Sequence, residues 1–204
     1  MKKALFFISL SAAILSCSKN NKELSDLTQE VVAQKSIASM KQSYGFLSAA
    51  EKSSLWQTKL NAVLDNDNQK LTYRQREIVA EIKGMLEKYS MEDLIANSQI
   101  GENFLNQHLS EYAQHFTTKQ LYLLIENPYY VKNFSIFNAD AYLAVLKSGD
   151  EYQLGVAAPS VSDCSCYYNI SCGLIGGYCD WKAGCIQVAE CGLFGTSNCK
   201  GKCD

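Results

Sequence analysis

From Leu24 to Leu146, apolar residues return at intervals of three and four, the period of helices that bury one face. Leu24, Leu27 and Val31 open the pattern and predict a helix from Leu24 to about Tyr44. Ser48-Ala49-Ala50-Glu51 is a capping box, in which the serine hydroxyl accepts from a free backbone N–H and the glutamate answers the serine N–H. Trp56, Leu60, Val63 and Leu64 form the stripe behind it, and Asp65-Asn66-Asp67-Asn68 supplies the turn that ends it. Thr72-Tyr73-Arg74-Gln75 opens the next helix, with Ile78, Val79, Ile82, Met85, Leu86 and Tyr89 on its inner face. Ser90 to Asp93 starts a short helix reaching about Asn97, which Gly101 is expected to break. Helix resumes from Glu102 to His115 on Leu105, Leu109, Tyr112 and Phe116. Thr117-Thr118-Lys119-Gln120 caps a helix through Leu121, Leu124 and Ile125. Asn127-Pro128 stops it, because proline pushes the preceding residue out of the helical region. A last helix is expected from Asn138 to Lys147, carrying Tyr142, Leu143 and Leu146. Residues 24–147 thus predict an all-α N-terminal domain of five to seven short helices, long enough to bury a core.

The pattern fails after Lys147. Nine of the twelve glycines lie from Gly149 onward, and Gly155, Ala157, Ala158, Pro159, Ser160 and Ser162 make residues 148–163 small and turn-prone. These residues read as a linker, with the domain boundary near Gly155 to Val161, where proteases also prefer to cut.

Beyond it, residues 164–204 hold eight of the nine cysteines: Cys164, Cys166, Cys172, Cys179, Cys185, Cys191, Cys199 and Cys203. So short a segment buries too little surface to fold unaided, and its large apolar residues are few: Leu174, Ile175, Trp181, Ile186, Val188, Leu193 and Phe194. Disulfides, at roughly 2–4 kcal/mol each, supply what the core lacks. The intervening gaps are one, five, six, five, five, seven and three residues. Structural zinc sites use close pairs two to four residues apart, a span only Cys199 and Cys203 match, and no C-x-x-C redox pair occurs. Even parity and export favour four disulfides, in a small disulfide-rich module whose pairing is one of on the order of a hundred possibilities.

Export is read from the other end of the chain. Met1-Lys2-Lys3 is a short positive segment, and Ala4 to Leu15 is mostly apolar but too short to span a bilayer. It leads into Ile14-Leu15-Ser16-Cys17. This run resembles the lipobox of bacterial lipoproteins. The resemblance implies a signal peptide over residues 1–16, cleavage before Cys17, acylation of Cys17, and a polar tether over 17–23. Each buried methylene adds roughly 0.8 kcal/mol to such an anchor. Ser18 stands where an aspartate favours inner-membrane retention in enterobacterial lipoproteins, so the expected site is the outer membrane of a Gram-negative cell envelope.

Charge and motifs narrow the activity. A net charge of −2 gives no reason to expect nucleic acid as a partner. The acidic turn at Asp65 does not make a calcium loop, because Lys70 and Arg76 occupy the positions that need glycine and glutamate. His108 and His115, the only histidines, are seven residues apart, too far for one metal. No phosphate-binding glycine loop, zincin motif or nucleophile–base order is present. The expectation is a non-enzymatic protein with no catalytic, cofactor-binding or metal-binding residues.

The run Cys164-Ser165-Cys166, the cysteines that follow at five- to seven-residue gaps, the terminal close pair, Tyr178-Cys179 and the Gly-Leu-Phe-Gly turn at Gly192 to Gly195 together resemble the bacteriocin fulvocin C-related proteins. The resemblance covers the last fifth of the chain and its layout, an exported N-terminal region followed by a cysteine-rich module. It implies a bacteriocin-like lipoprotein whose module is released as an antibacterial peptide by a cut near Ala157 to Val161. The module is not cationic: Asp163, Asp180, Glu190 and Asp204 outnumber Lys182, Lys200 and Lys202. The alternative is an envelope-anchored binding lipoprotein, including one that protects its producer. Its module would be a recognition head offering Tyr167, Tyr168, Tyr178 and Trp181 to an envelope or target-cell partner.

Overall fold

The computed structural model describes residues 28–29, 33, 37–154, 179–180, 189–198 and 202–203. Among the described residues the N-terminal region has no strand, and seven helices have defined bounds: α1 (Ile37–Gly45), α2 (Ala49–Asn66), α3 (Tyr73–Lys88), α4 (Met91–Ala96), α5 (Gln99–Tyr112), α6 (Thr118–Ile125) and α7 (Ala139–Leu154). A 3₁₀ turn, Ile136–Asn138, leads into α7.

Four of these helices begin on a reciprocal capping box: Ser48 with Glu51, Thr72 with Gln75, Ser90 with Asp93, and Thr117 with Gln120. Each box satisfies two of the N–H groups that a helix start leaves open. Helices α2 and α3 pack as neighbours, α4 lies on α2, and α7 rests against both α1 and α6. The expected stripes face inward: Trp56, Leu60 and Val63 from α2, and Ile78, Val79 and Ile82 from α3, are fully buried. Helix α6 is buried on all sides, from Leu121 through Ile125, so it threads the middle of the bundle.

The acidic turn after α2 is a tertiary clamp. Asp67 is 1% exposed, and its carboxylate accepts from Ser135 Oγ at 2.6 Å and from Ile136 N at 2.8 Å. The Asn66 side chain donates to the Phe134 carbonyl at 3.2 Å. The turn that looked like a simple connector therefore pins a segment nearly seventy residues away.

Three boundaries differ from expectation. Gly101 does not break a helix: α5 starts at Gln99 and runs through it, and the interruption falls at Asn97-Ser98. Helix α5 stops at Tyr112 rather than His115, where turns at Gln114 and His115 accept the chain. Helix α7 extends to Leu154, through Gly149, because one glycine costs a helix only about 1 kcal/mol. Of the helix expected from Leu24 to about Tyr44, Thr28 and Gln29 are helical, Ala33 lies in a turn, and Ile37–Gly45 forms α1.

The described part of the cysteine-rich end has short antiparallel pairs. β1 (Cys179–Asp180) pairs with β4 (Lys202–Cys203), and β2 (Ala189–Cys191) pairs with β3 (Ser197–Asn198). Between β2 and β3 the chain makes a 3₁₀ turn, Leu193–Gly195.

Candidate functional site

That turn enters the core of the helical domain. Leu193 and Phe194 are both 0% exposed and belong to the same apolar cluster as the helices. The turn lies against α5 and α6, while β2 runs beside α1. The Phe194 ring sits 5.2 Å from Trp56, tilted by 55°, a favourable aromatic arrangement. Tyr44 joins the two residues: its hydroxyl donates to the Phe194 carbonyl at 2.8 Å and accepts from Trp56 Nε1 at 2.9 Å. A buried hydroxyl, indole N–H and carbonyl are thereby satisfied in one chain of bonds.

The backbone of the turn is unusual. Phe194 has φ 56°, and it is flanked by Gly192 at φ 69° and Gly195 at φ 64°. A bulky residue in the left-handed region costs on the order of 1–2 kcal/mol and persists where packing over-determines it. Here the two glycines take positive φ without cost and let the chain double back, so that Leu193 and Phe194 project together into the helices. Thr196 closes the turn, its Oγ1 donating to the Leu193 carbonyl at 2.7 Å. Gly101 explains why α5 tolerates a glycine in its first turn: a Cβ there would stand 3.1 Å from Leu193 Cβ. The missing side chain lets the turn approach the helix.

A second unusual group lies nearby in the core. Lys59 is fully buried, with Nζ 2.5 Å from the Asn127 carbonyl and about 5 Å from the Trp56 and Phe134 rings (4.8 and 4.9 Å). Burial lowers its pKa well below the ordinary value. The aromatic faces favour the cation by about 2 kcal/mol, whereas desolvating an ion costs several, so the shift is downward. The Asn127 side chain donates to Tyr122 Oη and accepts from Tyr129 N, which holds the loop that carries this carbonyl. The amine is thus a core hydrogen-bond donor fixing the Asn127-Pro128 corner to α2.

On the outer side, Arg74 of α3 reaches Glu77, Glu81 and Glu111 at 3.2, 2.7 and 2.5 Å, and Tyr112 donates to Glu81 at 2.9 Å. Hydrogen bonds donated to Glu81 and then to Glu111 raise the Arg74 pKa. Burial pushes the Glu81 carboxyl up, but the bonds from Arg74 and Tyr112 outweigh it and leave the value lowered. Tyr112 is raised, first by burial and then by its bond to Glu81. His108 stacks on Tyr112 at 5.6 Å and lies 4.8 Å from Phe104. The network ties α3 to α5. It sets one guanidinium against three carboxylates. Among the described residues no group of three or more metal-binding side chains occurs, and no helix is long and apolar enough to cross a membrane.

The backbone register puts Cys179 opposite Cys203, and Cys191 opposite Ser197. Cys17, Cys164, Cys166, Cys172, Cys185 and Cys199 lie outside the described residues, as do Tyr167, Tyr168, Tyr178 and Trp181. The seating of Leu193 and Phe194 among the helices was not legible from helical periodicity, since it joins residues about 150 apart. Its signal in the sequence is two large apolar residues between two glycines, inside a polar cysteine-rich stretch. Compared with known proteins, the chain matches no family model, no curated protein and no solved structure.

Proposed function

We propose that the protein is a non-enzymatic lipoprotein of the bacterial cell envelope, bacteriocin-like and related to fulvocin C, that stays intact and carries its eight-cysteine end as a recognition head. The observation that carries this reading is the burial of Leu193 and Phe194 in the helical core. A head seated in its own domain suits display better than shedding, because withdrawing the two side chains exposes surface worth roughly 1.5–3 kcal/mol each. Acylated Cys17 holds the chain at the outer membrane, and an envelope protein or a target-cell partner meets the aromatic residues of the head. Producer self-protection falls within this reading. Four disulfides brace the head, and facing positions of an antiparallel pair, about 4.5–5.5 Å apart at Cα, suit a disulfide. The register of Cys179 against Cys203 therefore favours that pairing.

Release of residues beyond the linker as an antibacterial peptide is the second reading, supported by the small, turn-prone composition of residues 155–163. Mass spectrometry of the protein from host membranes separates the two. The display reading expects lipid on Cys17, eight oxidised cysteines and an uncut chain. A soluble C-terminal fragment as the main species, or an unmodified Cys17 on a chain that washes off the membrane, overturns it.

A further inference from the structure

We infer that the helical domain is itself a binding partner for the cysteine-rich end, a socket for the Gly192–Thr196 turn that keeps the two parts together when the chain between them is cut. The inference goes beyond the display reading. It depends neither on lipidation nor on what the head recognises.

It rests first on where the cysteines are. None lies between residues 18 and 163, so no disulfide joins the helices to the end segment once Cys17 is set aside. Whatever holds them, apart from chain continuity, is non-covalent. It rests second on the socket being built for the turn. Tyr44 of α1 places its hydroxyl on the Phe194 carbonyl, Trp56 of α2 offers its ring to the Phe194 ring, and Gly101 of α5 leaves room for Leu193. Three helices thus recognise one turn by hydrogen bond, ring contact and close approach. Two fully buried large side chains flanked by hydrogen-bonded polar atoms have the make-up of an interface hot spot. The strained φ of Phe194 is a third sign, since the conformation needs its surroundings.

The two hypotheses for the end segment then have a common consequence. A protease acting in residues 155–163 nicks the protein without dispersing it, and a separate unseating event is needed to free the module.

The test uses the full chain with Cys17 replaced by serine and a specific protease site inserted between Ala157 and Pro159, purified with its disulfides formed and then cut. On a non-reducing denaturing gel the cut protein runs as two bands. In native size exclusion it is expected to elute as one species, with unchanged far-ultraviolet circular dichroism. Phe194→Ala is expected to weaken the association roughly 100- to 1000-fold, so that the cut variant separates while the helical piece keeps its helical signal. Wild-type pieces that separate on cutting overturn the inference, as do Phe194→Ala pieces that stay together as tightly as wild type. A Phe194→Ala helical piece that unfolds on separation also overturns it, by showing the turn to be a core element rather than a bound partner. Tyr44→Phe, which keeps the shape but removes the shared hydroxyl, is expected to weaken association roughly tenfold; no change there refutes the role given to Tyr44.

Discussion

Gly84 and Gly101 both lie inside helices, and alanine at each asks whether the turn touches α5 as closely as the geometry states. Alanine in place of glycine stabilises a helix by about 0.5–1 kcal/mol. At Gly84 a new Cβ meets nothing within 4 Å, so Gly84→Ala is expected to raise stability by that amount. At Gly101 the new Cβ stands 3.1 Å from Leu193 Cβ, with Leu193 Cδ2 at 3.7 Å and Thr196 Oγ1 at 3.8 Å. Leu193 must then shift by a few tenths of an ångström, and its freedom is small. It is fully buried, and its neighbour Phe194 is tied to Tyr44 through its carbonyl. Overpacking of this kind costs about 1–3 kcal/mol. The cost at least cancels the helix gain, so Gly101→Ala is expected to lose up to about 2.5 kcal/mol. Urea denaturation of the Cys17→Ser chain, with its disulfides intact, reads both values as shifts of midpoint at constant slope. The decisive variant combines Gly101→Ala with Leu193→Ala. Removing the leucine side chain beyond Cβ frees the turn to relax, so the loss from Gly101→Ala should shrink, leaving a coupling of about 1 kcal/mol. If Gly101→Ala stabilises as much as Gly84→Ala, or if the double variant is simply additive, Leu193 does not rest on α5 and the socket is misdrawn.

Other expectations follow from the same geometry. Tyr44→Phe strands the Trp56 N–H and the Phe194 carbonyl in the core and should cost about 2–4 kcal/mol in denaturant titration; a loss under about 0.5 kcal/mol would show that water or another group replaces the hydroxyl. Asp67→Ala removes the acceptor of Ser135 Oγ and Ile136 N and should cost about 2–4 kcal/mol, with faster hydrogen exchange at Ile136. Burial lowers the Lys59 pKa when folded below its ordinary value of 10.5, so the folded chain holds this proton less tightly than the unfolded one. The unfolded state then binds the extra proton, so its contribution makes stability rise with pH from the lowered folded value up to about 10.5. Lys59→Met, similar in length and without the amine, should flatten that rise; an unchanged slope would place the proton elsewhere. Arg74→Met should leave the urea midpoint nearly unchanged, since its partners are partly exposed and screened, and a clear fall in the midpoint would mean the network bears on the core.

The sequence by itself determined most of the helical domain. Capping boxes at Ser48, Thr72 and Thr117 and stripes of period 3.6 are local signals, written within four to eight residues, and all three boxes form, with a fourth at Ser90 that the structure adds. Local rules failed where the deciding partner is distant. Gly101 reads as a breaker when only its neighbours are considered, yet α5 runs through it, and its bare Cα makes room for Leu193 arriving from the other end of the chain. Lys59 stands outside the stripe of Trp56, Leu60, Val63 and Leu64, yet it is buried among Trp56, Phe134 and Asn127. Asp67 reads as turn chemistry and acts as a clamp on Ser135 and Ile136. The tertiary structure alone decided that the cysteine-rich end reaches into the helices. Periodicity reports which face of an element is apolar, but the identity of what covers that face is a long-range contact, and no spacing along the chain encodes it.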